Sequence, residues 1–348
     1  MNTLTIKTEE LTLPASGVKL EELRQFLDCE QSVHYAQSLA WLDVLETQNT
    51  RLFISRNSRQ KIVASSILSI VKGRFSRLSS LRIVRGPVAK DAQTAALHLQ
   101  QLLPLVRNNG HSLIVNPFVS GALASSYAGE LLRNGFQILK KPNQFSDTLI
   151  VPILSSSKEQ WNSLRRSTRT AINKLNKAGA EINLLREASD YDSFSRKFSK
   201  FASERGISSL SQRMAFKIFT SFANSDRQPA VLLSANWNGS SIGQILLMPI
   251  TGSLIYEWGW LADPVARDKL PVMHSLLFFA IGICRDNGLK ELDLGGYWMD
   301  RGADDPINQF KLGFTKDVRH YLPEYEYIIS PSKYRIHNFL QNLYMALT

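Results

Sequence analysis

The chain has 348 residues, 44% of them hydrophobic, and carries 41 Lys and Arg against 30 Asp and Glu, a net charge of +11. That length and apolar content suit two cores of ordinary domain size and exclude a chain disordered on the scale of a domain. Cys29 and Cys284 stand far apart without a thiol or histidine at ligand spacing, and no two of the six histidines are at helical spacing, which argues against a disulfide framework, a zinc site or any other metal site.

Residues 1–20 read as a leader and an edge strand. Apolar residues recur at helical spacing over 20–27 and 35–45, with Ser38 as a helix start. Alternation predicts antiparallel strands at 51–55, 61–71 and 80–84. A helix follows over 93–106, Asn109-Gly110 stops it, 112–116 is a strand, 124–134 is a helix closed by Gly135, and 148–152 is a strand leaving the first domain. Residues 155–157 then start a helix whose apolar face is Trp161, Leu164, Thr168, Ile172 and Leu175; its other face is basic, and Gly179 ends it. The second domain continues as a helix over 212–222, strands at 231–234, 242–248 and 254–260, a helix over 273–285, and a strand at 291–294 that ends in Gly295-Gly296. Near the C-terminus Ile336, Phe339, Leu340, Leu343, Tyr344 and Leu347 share one helical face, expected to dock on a core, with a membrane surface as the alternative.

Charge is uneven along the chain. Residues 1–50 hold three basic and eight acidic groups, residues 51–90 ten basic and none acidic, and a second basic run lies on Lys158, Arg165, Arg166, Arg169, Lys174 and Lys177. Such clustering suits a polyanion, whether tRNA, a nucleotide diphosphate or an anionic membrane surface; a solvated basic face is the plainer alternative. The start of the chain lacks the basic and apolar pattern of a signal peptide, and the longest apolar run, 276–284, is too short to span a bilayer. The expected location is the cytoplasm, soluble or peripheral to the inner membrane.

The landmarks repeat. Gln37, Ala40 and Trp41, the hairpin at 52–55 and 62–70, Gly86-Pro87-Val88 and Arg107-Asn108-Asn109-Gly110 are answered, about 178 positions later, by Gln212, Ala215 and Phe216, the hairpin at 231–234 and 242–248, Asp263-Pro264-Val265 and Arg285-Asp286-Asn287-Gly288. The period is too long for a solenoid, so two domains of one ancestral fold are expected. Each is α/β (α+β), a mixed, mostly antiparallel sheet flanked by helices, the layout of GNAT-type acyltransferases. The predicted divisions are 1–152, 153–322 with the reacting centre, and 323–348 as a C-terminal helical segment docked on the core of the first domain.

No G-x-S-x-G elbow, P-loop or G-x-G-x-x-G motif is present, which removes the usual signatures of serine hydrolases, NTPases and dinucleotide enzymes. A GNAT domain holds the pyrophosphate of coenzyme A on a glycine-rich turn before a helix; the corresponding segments, 265–271 and 88–91, contain no glycine, although Arg267 and Lys269 offer side chains to a phosphate. The second copy alone has Asp293-Leu294-Gly295-Gly296 followed by Asn308-Gln309-Phe310-Lys311-Leu312-Gly313-Phe314. Glycines past a strand end let a ligand approach the backbone, and Lys311 between two aromatics is an anchored cation suited to a phosphate or oxyanion; a surface lysine beside two core phenylalanines is the bland alternative. Asp293 is the best-placed carboxylate for a general base, or a turn cap.

Gln37-Ser38-x-x-Trp41, Arg85-Gly86-Pro87-Val88, the basic helix from Arg165-Arg166-Ser167-Thr168-Arg169 to Lys177-Ala178-Gly179, the Asp293–Gly296 turn and Phe310-Lys311-Leu312-Gly313-Phe314 resemble, in order over nearly the whole chain, the FemAB-like (Fem-type) aminoacyltransferases that build peptidoglycan bridges. The resemblance implies two GNAT-like domains, charged tRNA as co-substrate with no cofactor, an acceptor amine on a nucleotide- or lipid-linked muropeptide precursor, and a monomer. It also implies that Lys311 is needed for activity, that Arg213 and Tyr256 hold the acceptor's phosphates with Gly295, Gly296, Phe310, Phe314 and Trp41 around the substrate, and that Arg165, Arg166 and Arg169 contact tRNA. Arg205 competes with Arg213 for its place. Leu45 stands where part of the family has a lysine, and no charged coiled-coil arm occurs. A GNAT-fold N-acyltransferase using acyl-CoA on a sugar or polysaccharide precursor is the second reading.

Overall fold

The computed structural model describes residues 5–13, 17–30, 32–73, 78–223, 229–262, 270–302 and 304–347, with 223 and 345–347 as backbone only. Arg74, Arg77, the side chain of Leu347 and the turn containing Asp263-Pro264-Val265, Arg267 and Lys269 lie outside the described residues. Two compact units are present, Met1–Ser146 with His320–Thr348, and Asp147–Arg319.

The first unit runs β1 (Ile6–Leu11), α1 (Val18–Cys29), α2 (Leu39–Val44), β2 (Thr50–Asn57), β3 (Ile62–Lys72), β4 (Ser79–Ile83), β5 (Val88–Ala89), α3 (Ala92–Val106), β6 (Ser112–Val115), α4 (Ala122–Arg133) and β7 (Gln137–Ile138). The second runs β8 (Asp147–Pro152), α5 (Ser157–Ser163), α6 (Arg166–Lys177), β9 (Glu181–Leu185), α7 (Ala188–Glu204), α8 (Gln212–Ala223), β10 (Val231–Trp237), β11 (Ser240–Ile250), β12 (Ser253–Leu261), α9 (Val272–Asp286), β13 (Glu291–Gly296), α10 (Pro306–Lys311) and β14 (Val318–His320). The chain then supplies β15 (Tyr325–Ile328) and α11 (Pro331–Leu347) to the first unit.

Both sheets have one strand order. It is β1-β2-β3-β4-β6-β15-β7 in the first unit, with β5 beside β3, and β9-β10-β11-β12-β13-β8-β14 in the second. Among the described pairings, β4 with β6 and β12 with β13 are parallel, joined by the crossover helices α3 and α9. The sixth strand in each sheet comes from the stretch that follows the other copy, because β8 follows α4 and β7 whereas β15 follows β14. The units are therefore tied by an exchange of strands.

Local chemistry explains the elements. Asn238 and Gly239 both take positive φ, 48° and 73°, as a tight hairpin turn between β10 and β11 requires. Asp91 caps α3 by accepting from Thr94 N at 2.7 Å, and Glu187 with Asp190 forms a capping box on α7. In the second unit β11, β12 and β13 bury Leu247, Leu254 and Leu292 under Leu276 and Ile281 of α9 and Ile172 of α6.

Four features differ from the sequence reading. Strand β8 belongs to the second sheet, which puts the division between Ser146 and Asp147 instead of after residue 152. The helix expected after 155 is broken into α5 and α6, because Leu164 and Arg165 are extended and Arg165 N donates to Gly313 O at 3.0 Å. Helix α7, strand β9 and strand β15 were not anticipated, and β15 replaces part of the helical segment 323–348. On α11 the apolar stripe faces outward, with Ile336, Phe339 and Leu343 exposed. The helix rests instead on its other face, where Tyr334 donates to Glu326 at 2.7 Å and His337 lies against His111.

Tyr325 on the exchanged strand β15 is 2% exposed in the core of the first unit. Tyr325→Ala is expected to destabilise that unit by about 3–5 kcal/mol, as truncation of a buried aromatic does. Amide hydrogen exchange should show faster opening in β4, β6 and β15 and unchanged protection in β10 to β13.

Candidate functional site

The parallel strands β12 and β13 pair over three positions, Ser253–Ile255 with Glu291–Asp293, and no further. Two irregularities end the pairing. Leu247 faces Tyr256 and Leu246 faces Trp258, so Glu257 is a bulge on β12. On the other strand Gly295 has φ of +70°, and a Cβ there would lie 2.9 Å from Tyr256 O. Only glycine meets both conditions.

Asp293 builds this turn. Its carboxylate is fully buried, and Oδ1 accepts from Gly295 N at 2.7 Å and from the Thr148 hydroxyl, whose single O–H it shares with Gly295 O, 2.9 Å from Thr148 Oγ1. The residue thus does what a turn-capping aspartate does.

Lys311 closes the site from α10. Asp305 caps this short helix by accepting from Ile307 N and Asn308 N, with Pro306 at its first turn. Asn308, fully buried, donates to Trp298 O at 2.7 Å and Gly302 O at 2.9 Å, which fixes the loop after Gly296 against the helix. The Lys311 amine, 7% exposed, donates to Gly296 O at 2.6 Å. Among the described residues that carbonyl is its one hydrogen-bond acceptor, which leaves two of its three N–H donors for a ligand. Burial pulls its pKa down to about 8, against the opposing pull of Asp293, Glu257 and Asp305.

Phe310 and Phe314 brace α10 from behind, edge to face at 5.7 Å, with His274 of α9 against Phe310 at 4.8 Å. Burial lowers the His274 pKa, so its imidazole is neutral near pH 7. Tyr256 follows the paired positions on β12; burial, then Glu257, raises its pKa and keeps the phenol protonated. A Cβ on Gly259 would lie 2.6 Å from the Tyr256 hydroxyl and 3.1 Å from Gln244 O, so a side chain there would displace the phenol.

The structure therefore brings Lys311, Gly295, Gly296 and Asp293 together, with the backbone carbonyl of Tyr256 against Gly295. Arg165 joins them at one remove, donating to Gln309 of α10 at 3.2 Å. Gly313 lets α6 approach, since a Cβ there would meet Thr168 Oγ1 at 2.2 Å. Arg166 is exposed on α6, and Arg169 donates to Asn162 O at 3.3 Å. Arg213 is exposed in the first turn of α8, and Arg205 lies over Phe201 at 3.8 Å; no described contact joins either to Lys311. Trp41 belongs to the first unit, its ring edge-on to Tyr35 at 4.8 Å. Thr148, Asn308, His274 and Glu257 were missed, although a carboxylate inside the apolar strand 254–260 was a visible signal for the last.

At the corresponding place the first unit is filled by its own side chains. Strands β4 and β6 also pair over three positions, Leu81–Ile83 with Leu113–Val115. Beyond them Gln37 donates to Val84 O at 2.7 Å and accepts from Ile67 N at 2.8 Å, and a Cβ on Gly86 would strike it at 2.7 Å. Arg85 lies buried against the rings of Phe145, Tyr321 and Phe118. Asp91 occupies the α3 N-terminus with its own carboxylate, where a pyrophosphate would otherwise bind. The equivalent turn before α9 is outside the described residues.

No protein-family model and no curated protein sequence matches the chain. Its backbone is nonetheless similar to that of FemX, with a TM-score of 0.75 at 16% identity over 92% of this chain and 98% of that one. The chain has the Fem-like tandem GNAT fold. The C-terminal domain of a putative lysylphosphatidylglycerol synthetase from Agrobacterium fabrum matches at TM-score 0.58 and 12% identity, over 94% and 97% of the two chains. A tandem GNAT protein from the clavulanic acid biosynthesis pathway matches at 0.55 and 12%, over 94% and 99%. These likenesses agree with the strand order common to both units.

Selective observation of the Lys311 side chain by NMR should give a titration midpoint near pH 8. Asp293→Asn removes a carboxylate that favours the ammonium, so the midpoint should move down. A midpoint above pH 10 in the unaltered protein would show that the amine is not desolvated.

Proposed function

We propose that the protein is an aminoacyltransferase that moves an amino acid from aminoacyl-tRNA to an amine of a peptidoglycan precursor linked to a nucleotide or lipid pyrophosphate. The observation that carries the reading is the buried Lys311 ammonium, held by Gly296 O at 2.6 Å where β12 and β13 part, with donors to spare. The FemX-like fold and the lack of a glycine-rich pyrophosphate turn support it.

In the reaction the neutral acceptor amine attacks the ester carbonyl carbon. A C–N bond forms, the C–O bond to the tRNA ribose breaks, and the amine proton ends on the departing hydroxyl. Lys311 stabilises the intermediate oxyanion, an effect worth roughly 3–4 kcal/mol for one well-placed donor. Tyr256, protonated, is proposed to offer its O–H as a further donor. Asp293 acts through the turn, positioning Gly295 and Gly296, and supports the Lys311 charge. Phe310 and Phe314 hold α10, Arg165, Arg166 and Arg169 receive tRNA phosphates, and Arg213 serves the acceptor.

Two neighbours suggest other partners for the same centre. The lysylphosphatidylglycerol synthetase likeness points to a lipid acceptor, and the tandem GNAT likeness to an acyl-thioester donor. Purified protein offered charged tRNA or acyl-coenzyme A, each with muropeptide, amino-sugar and phosphatidylglycerol acceptors, separates these. Transfer from tRNA to a muropeptide is expected, and transfer from coenzyme A alone would overturn the reading.

Lys311→Ala should lower kcat about 10²–10³-fold while circular dichroism stays unchanged. Because the ammonium is the working form, kcat should fall as pH rises through about 8, the value to which burial brings Lys311. A flat alkaline limb, or near-normal turnover of the alanine variant, would remove Lys311 from the chemistry.

A further inference from the structure

Helix α11 has an inverted amphipathic arrangement: the side that rests on the first unit is polar and aromatic, and the side turned to solvent is apolar. Tyr334 donates to the buried Glu326, and His337 and Tyr334 lie against the His111 ring at 4.4 and 5.7 Å. On the opposite side Ile336, Phe339 and Leu343 are 54%, 67% and 48% exposed. Spacings of three and four residues put these three on one stripe. Stable monomers seldom leave a phenylalanine so exposed within such a stripe unless it meets something.

Charge identifies the occupant. At 100° per residue Lys333 and Arg335 fall on the two flanks of the stripe, both are exposed, and no Asp or Glu occurs after Glu326. Neighbouring strand ends add to the same sign. The backbone of His111 donates to Ser79 O at 2.8 Å, and Ser79 pairs with Lys72, which places exposed Lys72 at the sheet end where α11 begins. Exposed Arg107 closes α3 shortly before His111. An apolar stripe bordered by cations matches an anionic bilayer, whose acyl region takes the apolar residues while its headgroups take Lys and Arg. No helix of the described residues is long and apolar enough to cross a membrane, and α11 has 17 residues, so the geometry is that of a helix lying along the interface.

We propose that α11 docks the protein on an anionic lipid surface, with Phe339, Ile336 and Leu343 entering the interface and Lys333 and Arg335 on phosphate headgroups. Docking requires none of the Lys311 centre and is independent of the transfer reaction.

Flotation of the full chain with vesicles of phosphatidylcholine, or of phosphatidylcholine enriched in phosphatidylglycerol, tests this. Binding to the anionic vesicles is expected, weakened by salt, with little binding to neutral ones. Phe339→Glu and, separately, the pair Lys333→Glu with Arg335→Glu should each reduce it by about ten-fold or more, without loss of helical signal. Because these positions are exposed, the variants should fold, and their transfer to a soluble nucleotide-linked acceptor should be unchanged. Failure of the unaltered protein to float with anionic vesicles overturns the proposal, as does equal flotation with neutral vesicles or of Phe339→Glu. Sedimentation velocity showing a dimer that Phe339→Glu dissociates, without vesicle binding, would assign the stripe to a second copy of the chain.

Discussion

A buried ammonium without a full set of acceptors is costly, and the second unit is organised around one. Lys311 has lost most of its water, so its charge persists near neutral pH because a carbonyl and three carboxylates favour it. Each of these groups needs its own support. Gly296 O is presented by the turn that Asp293 and Thr148 build, Glu257 is turned by the bulge in β12, and Asp305 is fixed as the cap of α10. Asn308 then binds the loop to the helix from which Lys311 projects. Removing any of these would move the amine or its acceptor, whereas the sheet beneath would survive.

The same strand order in both units allows a comparison that the second unit alone could not. Parallel pairing stops after three positions in each, so the parting of the strands belongs to the fold and not to the chemistry. What fills the gap differs. In the first unit Gln37 satisfies the backbone of β3 and of the segment after β4, and aromatic rings close over Arg85. In the second, the gap is bordered by two glycines and an amine with unused donors. One copy has been closed by its own side chains, and the other presents an amine with unused donors.

Short-range signals were legible from the sequence. Both hairpins, the crossover helices, the Gly-Gly turn and the setting of Lys311 between two aromatics follow from spacing and turn chemistry. Helix α7 was not seen, although Phe194, Phe198 and Ala202 repeat every four residues, because Ser189, Asp190, Asp192 and Ser193 before them and Ser195 and Ser199 between them are weak helix formers. Strand β15 could not be seen, since its four residues owe their place to β6 and β7, about two hundred positions earlier. The C-terminal stripe was legible as a stripe, but its direction was not. Periodicity says which residues share a face; only the partners of Tyr334 and His337 say which face is inward.

The role of Asp293 depends on the same distinction between position and chemistry. Its place beside the glycine turn suits a general base, yet a base must reach the acceptor amine. Here Oδ1 is engaged by both the Gly295 amide and the Thr148 hydroxyl, and the carboxylate is sealed from solvent. Protonating it would weaken the turn that holds Gly296 O and remove a charge that sustains Lys311. A group that loses its support when it takes a proton is poorly suited to shuttling one. Aminolysis of an activated ester needs little more than a neutral amine held in line and a cation at the developing oxyanion. In the proposed reaction Lys311 meets the second requirement, and the carboxylate serves it indirectly.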